Sequence, residues 1–237
     1  MKRFFNSPVI ILLIIMAAMG IVNGKFSNPF QWAMGIAMML PGILIGISFH
    51  EFGHAFVAYK LGDPTPDNQG RVTINPLAHI DPFGFLALII IGFGWGLPVQ
   101  INPNNFKKPR RDELLVGVAG IIMNFILAII FAGILKLFIV FGLTFANTYM
   151  GGVVIDILKN IIVMNLVLMV FNLLPVPPLD GFGIVTQIFN LKGTELYYKV
   201  YNKGFIILIV LLLFNIVDIV LNPSVNFLYN MIIGIFF

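Results

Sequence analysis

Long apolar runs constrain this chain more than any other feature of its sequence. Runs such as Pro8–Val22 and Ile161–Leu174, with their flanking residues, approach the ~20 residues that a helix needs to cross a bilayer. Only 10% of the residues are charged, whereas a soluble domain carries about a quarter. A chain of this composition has too little polar surface to fold in water. We therefore predict an integral membrane protein.

The hydropathy pattern predicts an all-α polytopic protein with about five to six transmembrane helices. A segment near the middle of the chain, Phe83–Leu97, is apolar but glycine-rich towards its end, so it either spans, re-enters or lies on the membrane. Residues Arg71–Ile74 alternate in polarity and are predicted to form a short strand near the membrane. The predicted spans and the last apolar segment are Pro8–Asn23, Phe30–Leu61, Leu114–Phe141, Val153–Leu174, Gly204–Leu221 and Val225–Phe237.

Basic residues are distributed unevenly between the two sides of the predicted spans. If the N-terminus is cytoplasmic, all of the 14 Lys and Arg residues lie on the cytoplasmic side except Lys25, Lys136 and Lys159. The positive-inside rule favours this orientation in the cell membrane. It also accounts for the net charge of +4 without a nucleic-acid partner. The absence of cysteine excludes disulfides and thiolate chemistry.

The polar motif His50-Glu51-Phe52-Gly53-His54 follows a long apolar run. On a helix, positions i and i+4 share one face, so both imidazoles can bind a single zinc ion. Glu51 can then accept a proton from a metal-activated water. Each ionisable group in a membrane helix costs about 2.5–3.5 kcal/mol, which indicates a functional site. A polar patch that hydrogen-bonds its neighbours is the alternative.

A catalytic zinc site needs a third protein ligand and an open fourth position. Asp180 is the main candidate, because it follows a proline-broken stretch whose backbone must line a cavity or be buried in protein. A surface aspartate that caps a helix is the alternative for Asp180. His79 is a further candidate for a ligand or a gate, although a loop histidine bonded to backbone is the simpler interpretation.

In their order along the chain, these motifs resemble those of the site-2 protease family of intramembrane metalloproteases. The resemblance rests chiefly on His50–His54 and on Asn172–Gly181. A weaker match, Gly120–Asn124, lies in the intervening span, and the loop Arg71–Pro82 is similar to the segment after the family's zinc-binding helix. The resemblance implies a three-helix catalytic core.

The resemblance also implies roles for individual residues. One zinc ion per chain would be bound by His50, His54 and Asp180, with Glu51 as general base and then general acid. Asn172 would lie beside the metal and orient the substrate or the oxyanion.

Asn124 is implied to face the same cavity and to contribute to substrate or oxyanion binding. For Asn124, Asn165 and Asn172, interhelical hydrogen bonding is an alternative that is common in membrane bundles.

The implied substrates are transmembrane proteins or peptides, which would be cleaved in or beside their membrane-spanning segments within the lipid bilayer. Residues 1–237 are expected to form a single protease domain, with a catalytic core at about 30–190, additional helices at 8–23 and 204–237, and no PDZ or CBS module. The strand at Arg71–Ile74 is expected to pair with the unwound substrate.

A membrane ion transporter and a non-catalytic metal-binding protein remain as alternatives, and the sequence does not indicate an oligomeric state.

Overall fold

The computed structural model describes residues 14–237 except 16, 19, 23, 25, 92 and 93. The helices longer than one turn that it places after residue 28 are α1 Pro29–Lys60, α2 Pro82–Ile91, α3 Pro109–Phe141, α4 Tyr149–Asn172, α5 Asp180–Ile188, α6 Glu195–Leu213 and α7 Ile216–Phe236. The connections contain single helical turns at Thr65–Asn68, Pro76–Ala78, Pro103–Asn105 and Leu143–Ala146.

Five helices in the described part of the chain, namely α1, α3, α4, α6 and α7, are long and apolar enough to cross a membrane. The prediction of an all-α polytopic membrane protein is therefore confirmed. Most of the predicted first span, Pro8–Asn23, lies outside the described residues.

Local sequence signals set the ends of the long helices. The Asn28 side chain accepts a hydrogen bond from the Gln31 amide at 3.1 Å, directly before the proline that opens α1. Thr148 caps α4 in the same way through the Gly151 amide at 3.1 Å. Such caps satisfy amides that have no partner inside the helix. The prolines after α4 then prevent its continuation.

Helices α1, α3 and α4 pack against one another, and α7 covers α3 and α4. Large apolar side chains on the outer face of α3 are about half exposed, among them Ile122 at 50% and Ile130 at 49%. The inner face instead carries small and polar residues, including the fully buried Asn124. This arrangement is typical of helices that pack within lipid. The buried cluster between α3, α4 and α7 comprises Ala128, Ala132, Leu135, Leu158, Ile161, Ile162, Leu166, Val170, Val225 and Ile232.

The last two helices begin and end at other residues than those predicted. The predicted span Gly204–Leu221 is interrupted at Asn215, whose φ of 55° is left-handed. The short segment Val225–Phe237 belongs to α7, a helix of 21 residues. Asparagine adopts this conformation more readily than most residues, and hydropathy does not report it.

Helix α7 runs in the opposite direction to α4. Near its start, Val217 lines the same cavity as Phe171 at the end of α4. At its end, the Phe236 ring lies beside Gly133 of α3, where an added Cβ would be 3.5 Å from the ring. Helix α7 therefore ends on the same side of the bundle as α3.

The segment Phe83–Leu97 does not cross the bundle. Its helix α2 has ten residues and is about 15 Å long, half the thickness of a hydrocarbon core. Beyond α2 the chain returns, because Ile80 and Gly96 form an isolated antiparallel bridge. The Leu97 amide also donates to the His79 carbonyl at 2.7 Å. The two ends of the segment thus lie side by side.

The predicted strand at Arg71–Ile74 is wrong, and the described residues contain no sheet. The Thr73 carbonyl accepts a hydrogen bond from His79 Nε2 at 2.7 Å, and the Thr73 hydroxyl accepts one from the Asn75 amide at 3.2 Å. Local side-chain hydrogen bonds of this kind compete with strand pairing. Thr73 therefore bonds within this loop and not with a neighbouring strand.

Asp63 joins the loop after α1 to the loop before α3. Its carboxylate accepts hydrogen bonds from the Thr65 amide and hydroxyl, from the Asn102 amide at 2.7 Å and from Asn105 Nδ2 at 2.7 Å. Burial raises the pKa of Asp63, but these hydrogen bonds outweigh it and hold the pKa below its usual value. The carboxylate thus fixes the C-terminal end of α1 relative to the start of α3.

Candidate metal centre

Three potential ligand atoms converge where α1, α3 and α5 meet. The Nε2 atoms of His50 and His54 lie 3.0 Å apart. Asp180 Oδ2 lies 3.0 Å from the first and 3.2 Å from the second. Ligands around a tetrahedral zinc ion, at bond lengths near 2.0–2.1 Å, are separated by about 3.3 Å. The triangle therefore has the size that a single metal ion requires.

The hydrogen bonds of the two imidazoles favour metal binding. His50 Nδ1 contacts Asn124 Oδ1 at 2.6 Å, and His54 Nδ1 contacts the Val116 carbonyl at 2.7 Å. An amide or carbonyl oxygen can only accept, so each Nδ1 donates and each Nε2 presents a lone pair. Asp180 Oδ2 is buried and accepts no hydrogen bond from the described part of the chain. Three electron-rich atoms at these distances repel one another, and a bound cation removes the repulsion.

Asn124 lies behind His50. It is fully buried, and its Nδ2 donates to the Gly46 carbonyl and to Asn165 Oδ1, both at 3.0 Å. Asn165 in turn donates to the Ile161 carbonyl at 2.8 Å. These contacts tie α1, α3 and α4 together, as the interhelical alternative predicts. Through these contacts Asn124 orients the His50 ring.

Two glycines let the backbone approach the ligands. A Cβ on Gly120 would lie 2.5 Å from His54 Nε2 and 2.7 Å from His50 Cε1. A Cβ on Gly181 would overlap the Leu173 carbonyl. A side chain at either position would therefore displace a candidate ligand or the loop that leads to Asp180.

Glu51 is held by the segment that follows the α2 hairpin, defined as residues 80–97, which leave the bundle through α2 and return. Its Oε2 accepts a hydrogen bond from the Val99 amide at 3.0 Å. Arg71, only 7% exposed, anchors the same segment by donating to the Leu97 and Pro98 carbonyls at 2.8 and 3.2 Å. The sequence does not indicate Val99 or Val116, because both residues act through main-chain atoms. For Arg71 the sequence predicts a strand position and a cytoplasmic charge, but not this contact.

A family model described as peptidase family M50 matches residues 38–215. The chain belongs to this family.

Individual relatives agree with this membership. "Putative zinc metalloprotease YwhC" of Bacillus subtilis is 40% identical over 185 residues, which cover 78% of this chain and 84% of the relative. "Putative zinc metalloprotease Rip2" of Mycolicibacterium smegmatis is 28% identical over 215 residues, covering 87% and 80%. "Zinc metalloprotease MJ0392" of Methanocaldococcus jannaschii is 25% identical over 214 residues, covering 88% of this chain but 49% of the relative. No solved structure is significantly similar to the chain.

Two other predicted residues of this M50 peptidase lie outside the cluster of ligand atoms. The buried His79 donates from Nε2 to a loop carbonyl, and the cluster found among the described residues consists of His50, His54 and Asp180. His79 is therefore the backbone-bonded loop histidine of the simpler interpretation. Asn172 is partly buried, and its Nδ2 donates to the Leu168 carbonyl of its own helix at 3.0 Å.

Proposed function

We propose that this M50 peptidase is an intramembrane zinc metalloprotease that cleaves peptide bonds in or near transmembrane segments. The proposal is carried by the convergence of His50 Nε2, His54 Nε2 and Asp180 Oδ2 within 3.2 Å of one another. Zinc is the metal that best suits two imidazoles and one carboxylate in a hydrolytic site. Residues 30–190 would form the catalytic core of a single domain.

Zinc held by the three converging ligand atoms would supply a Lewis acid and make the attacking water easier to deprotonate. Glu51, one residue after the first ligand, takes a proton from the attacking water as the new carbon–oxygen bond forms. It then delivers that proton to the amide nitrogen as the carbon–nitrogen bond breaks. The Val99 amide holds the Glu51 carboxylate in place before the reaction. Asn172 would orient the substrate, as the family resemblance implies.

The location of the site supports an opening towards the cytoplasm. His50 lies ten residues before the end of α1, or about 15 Å along the helix axis. At that end of the bundle, Ala58 of α1 packs against Phe106 and Val116 near the start of α3. The basic residues Lys107, Lys108, Arg110 and Arg111 lie there too. The positive-inside rule assigns this basic end to the cytoplasm, which gives water a short path to the metal.

An apolar cavity supports a membrane-embedded substrate. It has a volume of about 570 Å³ and lies between the first half of α1, the α2 hairpin, the end of α4 and the start of α7. Ile47, one turn before His50 and Glu51, and Gly96 line it near the catalytic residues. An apolar segment that leaves the bilayer could occupy this cavity while its backbone unwinds. Local unwinding is required, because a helix hides its carbonyls in internal hydrogen bonds.

The first test is the zinc content of the purified protein. We expect about one zinc per chain in the wild type and a large loss in Asp180→Ala, since two imidazoles alone hold zinc weakly. A wild type that remains free of zinc after metal add-back would refute the mechanism.

The second test is cleavage of a transmembrane reporter peptide in proteoliposomes. Glu51→Gln should retain zinc and lose cleavage, because glutamine cannot accept the proton. Equal cleavage by the wild type and Glu51→Gln would exclude Glu51 as the general base. If neither protein cleaves and the wild type transports zinc across the liposome membrane, the transporter alternative is correct.

A further inference from the structure

Helix α3 supplies none of the three converging ligand atoms, yet it contacts both histidine ligands through their outer nitrogens. Its Val116 carbonyl accepts from His54, and its Asn124 side chain accepts from His50. The third group, Asp180, lies on a different helix, α5. The contacts between α3 and α5 therefore contribute to where the carboxylate lies relative to the two imidazoles.

Arg110, in the first turn of α3, binds the C-terminal end of α5. Its Nε donates to the Gln187 carbonyl at 2.6 Å, and its Nη2 donates to the Ile188 carbonyl at 2.7 Å. Carbonyls in the last turn of a helix have no partner within the helix. The guanidinium satisfies two of them and places a positive charge at the negative end of the helix dipole. Arg110 thus caps α5 from outside.

Glu113, one turn further along α3, binds the same end of α5. Its carboxylate accepts from Gln187 Nε2 at 2.7 Å and from Lys192 Nζ at 2.8 and 2.9 Å. Gln187 is 7% exposed and the Glu113 side chain 15% exposed. The Glu113–Gln187 bond is therefore largely shielded from water, whereas Lys192, 47% exposed, forms a surface ion pair with Glu113. Arg110 and Glu113 therefore clamp one end of α5 to α3.

The length of α5 makes this clamp relevant to the metal. The helix has nine residues, with Asp180 in its first turn and the clamped carbonyls in its last turn. A helix of nine residues is about 13 Å long, so a tilt of about 5° displaces one end by about 1 Å. Zinc sites tolerate ligand displacements of only about 0.2 Å. A small reorientation of α5 would therefore take Asp180 out of reach of the site.

We propose that Arg110 and Glu113 are positioning residues for Asp180, so that α3 sets the positions of all three ligands. This inference rests on the proposed zinc site. Arg110 then has a role beyond the orientation of the chain in the membrane.

The test measures zinc affinity of the full-length protein in detergent by competition with a chromophoric chelator. Arg110→Ala should weaken zinc binding about 10- to 100-fold, the range observed when groups that support metal ligands are removed. Arg110→Lys should recover part of the loss, because an ammonium group can still bond one of the two carbonyls. Arg111→Ala is the matched control: its side chain is 59% exposed and pairs with Asp112 instead. It should bind zinc like the wild type.

A double-mutant cycle separates positioning from general damage to the fold. If Arg110 acts through Asp180, Arg110→Ala should not weaken further the residual zinc binding of Asp180→Ala. A general structural effect would weaken zinc binding in both backgrounds, and that result would overturn the proposal.

Glu113→Gln keeps the shape of the side chain and removes its charge, so it provides a milder second variant. It should weaken zinc binding less than Arg110→Ala does. Wild-type zinc affinity in both Arg110→Ala and Glu113→Gln would refute the clamp and leave the proposed function intact. A wild type without zinc would refute both proposals.

Discussion

Adding one methyl group at Gly120 should disable the metal centre. A Cβ at this position would lie 2.5 Å from His54 Nε2 and 2.8 Å from His50 Nδ1. Ordinary van der Waals contact begins at 3.4 Å, so the His54 ring would have to move by about 0.9 Å. Both rings are fixed by hydrogen bonds from their Nδ1 atoms to α3, and they cannot retreat without breaking those bonds.

The required movement exceeds by several-fold the ~0.2 Å that a zinc site tolerates. A shift of α3 instead of the rings would separate the imidazoles from Val116 and Asn124. That separation is expected to lower metal affinity about 10- to 100-fold. We therefore expect Gly120→Ala to bind zinc at least tenfold more weakly than the wild type, as measured by chelator competition.

Gly117→Ala provides the matched control on the same helix. A Cβ there would lie 3.4 Å from Ile184 Cγ1, which is an ordinary contact. The control makes the same chemical change with the same helix propensity, and it should leave zinc affinity unchanged. If Gly120→Ala bound zinc as tightly as Gly117→Ala, the close approach of α3 to the imidazoles would not be essential, and the reasoning would fail.

Three further predictions concern the surroundings of the site. Asn124→Ala should weaken zinc binding about 10- to 100-fold in the chelator assay, since the His50 ring loses the acceptor that orients it; unchanged affinity would contradict this role. Asp63→Ala should lower the free energy of unfolding by about 1.5–3 kcal/mol, measured by thermal denaturation in detergent. The pKa of Asp63 lies below its ordinary value of 3.8, so the stability difference between the wild type and Asp63→Ala should be constant above pH 3.8 and should shrink as the pH falls further. A difference that stays constant at all pH values would contradict the stabilising role of the Asp63 carboxylate. Arg71→Ala should reduce peptide cleavage about 10- to 100-fold by releasing the segment that holds Glu51, with the zinc content unchanged. Substitution of the exposed Lys60 by alanine is the control. Normal cleavage by Arg71→Ala would contradict the anchoring role of Arg71.

The three residues of the candidate metal centre could be singled out from the sequence because each has a simple local signal. Helical periodicity alone places His50 and His54 on one face, one turn apart. Asp180 could be singled out because an acid in an apolar, proline-broken stretch needs a buried partner. In both cases the signal lies in a short stretch of the chain and does not depend on contacts with other segments.

Other features depend on contacts and backbone angles that hydropathy and polarity patterns do not report. The position of Asn124 in the third span was recognised, but the sequence did not show whether its amide faces the substrate or His50. The boundary at Asn215 was missed because the apolar run continues across it, and a single residue changes the backbone direction. The strand predicted at Arg71–Ile74 is wrong because alternation in polarity does not reveal that the His79 imidazole, six residues along the chain, binds the Thr73 carbonyl.

The main-chain contacts of Val99 and Val116 have a consequence for how this site tolerates variation. Glu51 is held by an amide and His54 by a carbonyl, and every residue type except proline supplies both groups. The side chains at positions 99 and 116 are therefore free to drift over evolutionary time as far as these two bonds are concerned. A deep mutational scan should find position 99 permissive except for proline, although its backbone amide donates to Glu51.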